Sequence, residues 1–530
     1  LRNSQLKLSF GLAILPLYFL VTIVIGWFAN RQSRGSSSYL NASRSLPLWI
    51  VTAAYLAANC GALEIVGLSA MAAQYGVQAF NFYWIGAIPA MVFLAIWMMP
   101  VYRRSGVKTL PEYLAIRYGP GVRLLNAIVL AVTMLLLGGI SLYAMAQVLE
   151  VVVGLSFAES SSLSAAVVLV YVLMGGIRAT IYNEVFQLMV MVAGLVPLAV
   201  RSIHVLAAPA TIPSASRYHL WTGMPLASQA APVDSIGVVF GLGFVLSFAY
   251  WCTDFVLMQR AFAARTETEA RQVPLWAGFG KLAFSLLVIL PGLAAYRLIP
   301  ALGSSARFDQ ALPALMNLLY GPTMLGIGLT ALVASLMSGL AANVSGFAAV
   351  WTEDIYRAYI RKHEQDSHYL LVARISAIAA ILACTAASYI DFLFRDLMEH
   401  VQMIFSIFGA PFWAVFLLGM STRRTTARGA VAGFLTGTTV GLLHLAAFTH
   451  GWIRYGSIMN ANFHAAIYSF STAAAVGLLA SFGPRQRQTA VAGNLIFNWR
   501  MGTEGVRVGF IWSLALILLV ACAALNFLWR

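Results

Sequence analysis

Ala57-Ala58-Asn59-Cys60-Gly61-Ala62-Leu63-Glu64 lies inside an apolar segment running from about Leu48 to Gly76. A membrane helix does not carry an ionisable group at mid-depth without cost, and Glu64 therefore marks a pathway or a binding site. Asn59 and Gly61 are poor helix formers, so the segment is expected to unwind there. Unwound backbone frees carbonyl oxygens, which can coordinate an ion where they line a cavity. The stretch reads as the broken helix of a transporter.

Composition agrees with a membrane setting. The chain has 530 residues, 60% of them hydrophobic and only 10% charged, against roughly 25% charged in a soluble protein. Its mean hydropathy is +0.81. A span needs roughly 20 apolar residues, and about fourteen segments qualify. The fold class expected is all-α, a polytopic bundle forming one transporter domain over residues 1–530. The formal net charge of +15 does not point to nucleic acid. Lys and Arg fall mainly in short loops between spans, as the positive-inside rule requires. The four cysteines, Cys60, Cys252, Cys384 and Cys522, lie far apart in apolar segments, and their spacing indicates neither a metal site nor a disulfide framework. The first apolar run, about Leu8–Asn30, lacks a small-residue cleavage site and is read as a retained span.

Span seven, about Ile236–Leu257, is also interrupted by polar groups, at Tyr250-Trp251-Cys252-Thr253-Asp254. Two interrupted spans, five apart and in opposite orientation, point to an inverted-repeat transporter. The repeats are expected over residues 48–202 and 236–420, after a leading helix at 8–30 and before trailing helices at 430–528. Spans five and six are expected to be separated at Gly175-Gly176, a glycine exit from a helix. Basic clusters at 31–44, 103–123, 260–271, 357–362, 423–428 and 485–507 all fall on one side of the count. That side is taken as cytoplasmic, which places both termini outside a cell membrane crossed many times.

Several stretches carry a family resemblance. They are Ser43-Arg44-Ser45-Leu46-Pro47, Ala57-Ala58-Asn59, Thr109-Leu110-Pro111-Glu112-Tyr113, and Gly175 through Glu184 to Gln187. They continue with Gln259-Arg260-Ala261, Ile289-Leu290-Pro291-Gly292, Ser338 to Tyr356, and Val415 to Gly419. In order and spacing the chain resembles the sodium/solute symporter family over nearly its whole length. The resemblance implies a LeuT-type fold of five plus five helices in inverted repeat, and symport of a small polar solute with Na+ by alternating access. It implies a Na+ site built from the carbonyls of Ala57, Cys60 and Ser335 and a hydroxyl pair at positions 338 and 339. Ser338 supplies one hydroxyl, but Gly339 has none, so the chain departs from the pattern there. Ser335, three residues before Ser338 on the same helix face, or a water is the substitute.

The resemblance also implies that Asn59 and Tyr250 close the inner side of the solute site, and that Lys281 and Gln402 are polar solute contacts. Trp251, beside Tyr250, is taken with them. Gly61 and Glu64 stand where the family's sugar carriers have Ser and Gln. Glu184 matches an acidic residue on the ion's exit route.

Each assignment has a plainer rival. Glu64 is a solute or proton contact, or a carboxylate paired with Lys281. Lys281 is a contact or snorkels to the interface. Ser335 and Ser338 are ion ligands or small packing residues. Tyr250 and Trp251 are gate and site residues or core aromatics. Glu184 lies on the ion route or solvates a helix end. Asp254 is read as a helix cap. Asp396, Glu399 and His400 are read as solvated at the outer start of span eleven. The expected activity is transport with a small polar solute and lipid as partners, not enzyme catalysis. A proton-coupled or uncoupled carrier, or a non-transporting sensor on the same fold, is the alternative. The solute and the oligomeric state are not legible.

Overall fold

The structure is a computed structural model and describes residues 14–31, 46–61, 63–107, 109–208, 219–221, 233–304, 307–394, 396–482, 495–503 and 508–529. Of the basic clusters expected at 31–44 and 485–507, residues 32–44, 485–494 and 504–507 lie outside the described residues, as does most of the polar loop at 209–232. Among the described residues the chain is helical, with no β-sheet. Its helices include, in chain order, α1 (Ile14–Arg31), α2 (Leu48–Asn59), α3 (Leu68–Tyr75), α4 (Pro120–Val153) and α5 (Phe157–Ala207). They continue with α6 (Ser247–Thr253), α7 (Phe255–Phe262), α8 (Glu267–Leu298), α9 (Pro322–Ala349) and α10 (Asp366–Ala387). The last are α11 (Leu397–Ile404), α12 (Ala410–Ser421), α13 (Ala427–Thr449), α14 (Ile458–Leu479) and α15 (Val508–Leu528). Among the described residues nine helical stretches are long and apolar enough to cross a membrane, and ten if the bent pair at Asp254 counts as one.

Both interruptions fall where polarity predicted them. The second expected span breaks after Asn59 and resumes as a wide helical turn at Leu63–Gly67 leading into α3. The seventh bends by 50° between Gly237–Thr253 and Phe255–Phe262. Asp254 sits at the bend in extended backbone, and its carboxylate accepts the Leu257 N–H at 2.9 Å. It is the helix cap expected of it.

The expected separation of spans five and six is not present. The backbone of α5 is helical without interruption for 51 residues, through Gly175 and Gly176. A glycine costs a helix interior only about 1 kcal/mol, and neither position is followed by a proline that would force an exit. The count of fourteen is therefore not reproduced.

The described residues fall into two compact units, drawn from Leu1–Phe80, Met134–Tyr218 and Leu282–Met398, and from Asn81–Thr133, His219–Lys281 and Glu399–Arg530. Each takes residues from both halves of the expected repeat. In the first unit α5 packs along α9, α1 and α2. Tyr320 donates its hydroxyl to the Gly194 carbonyl of α5 at 2.6 Å. In the second unit α13 lies along α14. Gly429, Gly433 and Gly437 repeat every fourth residue and place small atoms toward Gly477, Ala473 and Ser469. Such a stripe lets two membrane helices approach closely.

The basic residues do more than sit in loops. Arg117 is buried and donates to the carbonyls of Gly419 (2.9 Å), Thr422 (2.7 Å) and Thr425 (3.3 Å), and to the Thr425 hydroxyl. These acceptors lie at the C-terminal end of α12, where carbonyls lack helical partners and a cation is favoured. Arg271 does the same for Ala95 and Gly502, and Arg103 for Phe262 and Ala264.

The titratable residues at the start of α11 also depart from expectation. Asp396, Glu399 and His400 are buried, not solvated. Asp396 accepts the Met398 N–H at 2.6 Å, and Asp309 accepts the Leu397 N–H at 3.2 Å. The start of α11 needs acceptors for its first N–H groups, and these carboxylates are folded in to supply them.

Candidate functional site

The break after α2 rearranges its hydrogen bonds in a specific way. In a continuous helix the Gly61 N–H would bond the Ala57 carbonyl, and the Glu64 N–H the Cys60 carbonyl. Here the Gly61 N–H bonds Asn59 O at 2.8 Å, and the Glu64 N–H bonds Gly61 O at 3.1 Å. The carbonyls of Ala57 and Cys60 thus lose the donors that a continuous helix would give them. They are the two carbonyls of the break to which the resemblance assigned the ion.

Helix α9 comes against this break. A Cβ built on Gly61 would lie 3.3 Å from Gly339 Cα and 3.9 Å from the Ser335 carbonyl oxygen. Ser335 is fully buried and donates its hydroxyl to the Cys60 carbonyl at 2.7 Å. Ser338 is 2% exposed, and its hydroxyl has no hydrogen-bond partner. A buried hydroxyl with no protein partner is costly unless something binds there. The structure therefore brings Cys60 and Gly61 of the break against Ser335 and Gly339 of α9, with Ala57 and Ser338 one turn or less away along their own helices. Neutral oxygens of this kind suit a hard alkali or alkaline-earth cation.

The solute-side positions divide between the two units. Asn59 and Glu64, in the first, are both buried. Glu64 lies in the wide turn after the break, a helix form that recurs at functional sites. In the second unit Lys281 is 1% exposed, so it does not snorkel. Its Nζ lies 5.0 Å from the Tyr83 ring centre and 5.4 Å from that of Trp251. Both aromatic faces attract the ammonium charge. Tyr250 is half-buried and meets Trp251 and Phe405 edge-on, at 5.3 and 5.5 Å between ring centres. Gln402 is buried one turn before Phe405. Sequence reasoning missed Tyr83 and Phe405. An aromatic near a span end is too common a feature to single out Tyr83 within Phe82-Tyr83-Trp84.

Glu184 does not solvate a helix end. It is fully buried, together with Asn183 and Gln187, because α5 continues where an end was expected. Gln187 donates to the Tyr18 hydroxyl of α1 at 3.1 Å. Among the described residues no group of three or more His, Cys, Asp or Glu side chains is placed to hold a metal ion.

Comparison with known proteins follows the same line. A family model described as the sodium:solute symporter family matches residues 39–437. A sodium/glucose cotransporter of Vibrio parahaemolyticus is 27% identical over 467 residues, covering 81% of this chain and 84% of that protein. A sodium/mannose cotransporter of Bos taurus is 28% identical over 473 residues, covering 82% of this chain and 78% of that protein. Among solved structures, the substrate-bound outward-open state of a Na+-coupled sialic acid symporter aligns with a TM-score of 0.74 at 17% identity. That alignment covers 90% of this chain and 99% of the other, and it shows the LeuT-type helical fold.

Proposed function

The chain belongs to the sodium:solute symporter family, a family of Na+-coupled membrane transporters, and from that premise we propose how it seats its ion and its solute. The Na+ rests on the carbonyls of Ala57, Cys60 and Ser335 and on the Ser338 hydroxyl. The observations that support this reading are the broken helical bonding at Asn59–Glu64 and, on the α9 helix that meets it, a buried Ser338 hydroxyl with no protein partner. A cation there joins the carbonyls of the break to α9. Any gain in order at the break is then shared with the adjacent Gly61 and Glu64, so Na+ raises solute affinity by linkage and solute raises Na+ affinity equally. Glu184, buried on α5, lies on the ion's exit route.

The solute is a small polar molecule with several hydroxyl groups, a class supported by the sugar-transporting names of the curated relatives. Asn59, Gly61 and Glu64 contact it from the break. Tyr250, Trp251, Lys281 and Gln402 are the further proposed contacts, whose aromatic and amide groups suit the faces and hydroxyls of a sugar. The membrane orientation places both termini outside, on the distribution of basic residues.

Uptake by proteoliposomes under an imposed Na+ gradient tests the whole reading. Sugar uptake is expected with Na+ and not with a pH gradient alone. Ser338→Ala is expected to raise the Na+ half-saturation about tenfold, the equivalent of one lost ion–oxygen contact. Uptake driven equally by a pH gradient would favour proton coupling through Glu64 instead.

A further inference from the structure

We infer that the Ser335 side chain, not only its carbonyl, is an ion ligand in this chain, and that it replaces the hydroxyl missing at Gly339. The inference rests on the ion seat proposed above and assigns one of its oxygens.

Position 339 cannot supply a side-chain oxygen. It is also the point where α9 meets the broken helix backbone to backbone, since a Cβ on Gly61 would stand 3.3 Å from Gly339 Cα. Two glycines facing each other allow that approach, and the hydroxyl is lost with it. Ser335 lies four residues earlier, one turn along the same face of α9. Its Oγ stands 2.7 Å from the Cys60 carbonyl oxygen. Adjacent oxygens at right angles around a hard cation of Na+ size, each about 2.4 Å from it, are about 3.4 Å apart. The pair Ser335 Oγ and Cys60 O, 2.7 Å apart, reaches that spacing by opening about 0.7 Å.

A serine hydroxyl has one proton and two lone pairs. The proton is directed at the Cys60 carbonyl. When the cation binds, the Oγ–H rotates away and a lone pair faces the ion beside the carbonyl. No bond is broken beyond that hydrogen bond, and no proton leaves the protein. The same hydrogen bond holds the break against α9. The hydroxyl has thus moved one turn along α9, from the family's position to 335.

The test is Na+ titration of purified protein, following thermal stabilisation at constant ionic strength made up with K+. Ser335→Ala is expected to raise the Na+ half-saturation about tenfold, while Ser335→Thr, which keeps the hydroxyl, stays within about threefold of the parent. Melting in K+ alone separates this from simple loss of a hydrogen bond. If Ser335→Ala lowers the melting temperature by the same amount at every Na+ concentration, leaving the half-saturation unchanged, the hydroxyl is structural and the inference falls. Ser338→Ala is the companion measurement. Should Ser338→Ala weaken Na+ while Ser335→Ala does not, the ion seat stands and only the role of the Ser335 hydroxyl is overturned. Should neither weaken Na+, the seat itself is misplaced.

Discussion

Gly61 shows how far a single missing atom reaches. A Cβ there would meet backbone, the Gly339 Cα, at 3.3 Å, and backbone gives way less readily than a side-chain end. Gly61→Ala is expected to push the broken helix from α9, lowering stability by about 1–2 kcal/mol and raising the Na+ half-saturation. Thermal melting with and without Na+ reads both effects, and an unchanged Na+ dependence would mean that the helices yield without disturbing the seat. Glu64 tests the solute side. Glu64→Gln keeps the shape and removes the charge, so a competition panel of neutral, amino and acidic sugars against uptake is expected to change its order. An identical panel in the variant would leave Glu64 a structural carboxylate. These two residues were legible in the sequence because Gly and Glu are conspicuous inside an apolar span. Ala57 and Cys60 were not. Their side chains say nothing about the carbonyls behind them, and they entered only through the family resemblance. Tyr83, which flanks Lys281, gave no signal because its identity is ordinary for its place.

At the scale of elements, the breaks were readable and the joins were not. Polar residues at 59–64 and at 250–254 betrayed both interruptions, since a helix in lipid shows its discontinuities as polarity. The double glycine of α5 misled, because glycine weakens a helix without ending it. Long-range staples were invisible for a different reason. Arg117 reads locally as one more positive charge in a loop, yet its acceptors are some 300 residues away at the end of α12. Arg117→Ala is expected to destabilise the protein by about 3 kcal/mol, since several buried carbonyls lose a charged donor together. Arg117→Lys is expected to recover only part of this, because an ammonium cannot span the same fork of acceptors. Melting temperatures of the two variants check the claim, and equal losses would show that the fork geometry is unimportant.

For the whole molecule, pH becomes a measurable axis through two carboxylates outside the spans. Burial drives the Asp309 carboxyl up to about 6, with Asp391 adding to the shift and the Arg307 guanidinium and the Leu397 N–H opposing it. Its folded value thus exceeds its unfolded one. Its contribution to stability is fully present below about pH 4 and is lost as the pH rises through about 6. Asp234 behaves oppositely. Burial alone would raise it, but the Gly237 N–H, Asn460 and His464 together hold it below the ordinary carboxylate range. Its contribution is present at neutral pH and is lost only in acid below that range. The melting temperature is therefore expected to rise between pH 7 and pH 5, and Asp309→Asn to flatten that rise. A wild-type profile already flat over this interval would contradict the assignment.

Metal seats made of carboxylates tie affinity to residue identity, so lineages that drift at those positions lose the ion. In this chain three of the proposed ligands are peptide oxygens, which every amino acid carries. Substitution at positions 57 and 60 can proceed without altering the chemical groups offered to Na+, provided the helix still breaks there. At these two positions the constraint set by the ion then falls on backbone shape, and the constraint set by the solute falls on the neighbouring side chains. Two traits encoded within eight consecutive residues can evolve separately, which gives a physical route by which one ion-driven machine comes to serve many nutrients.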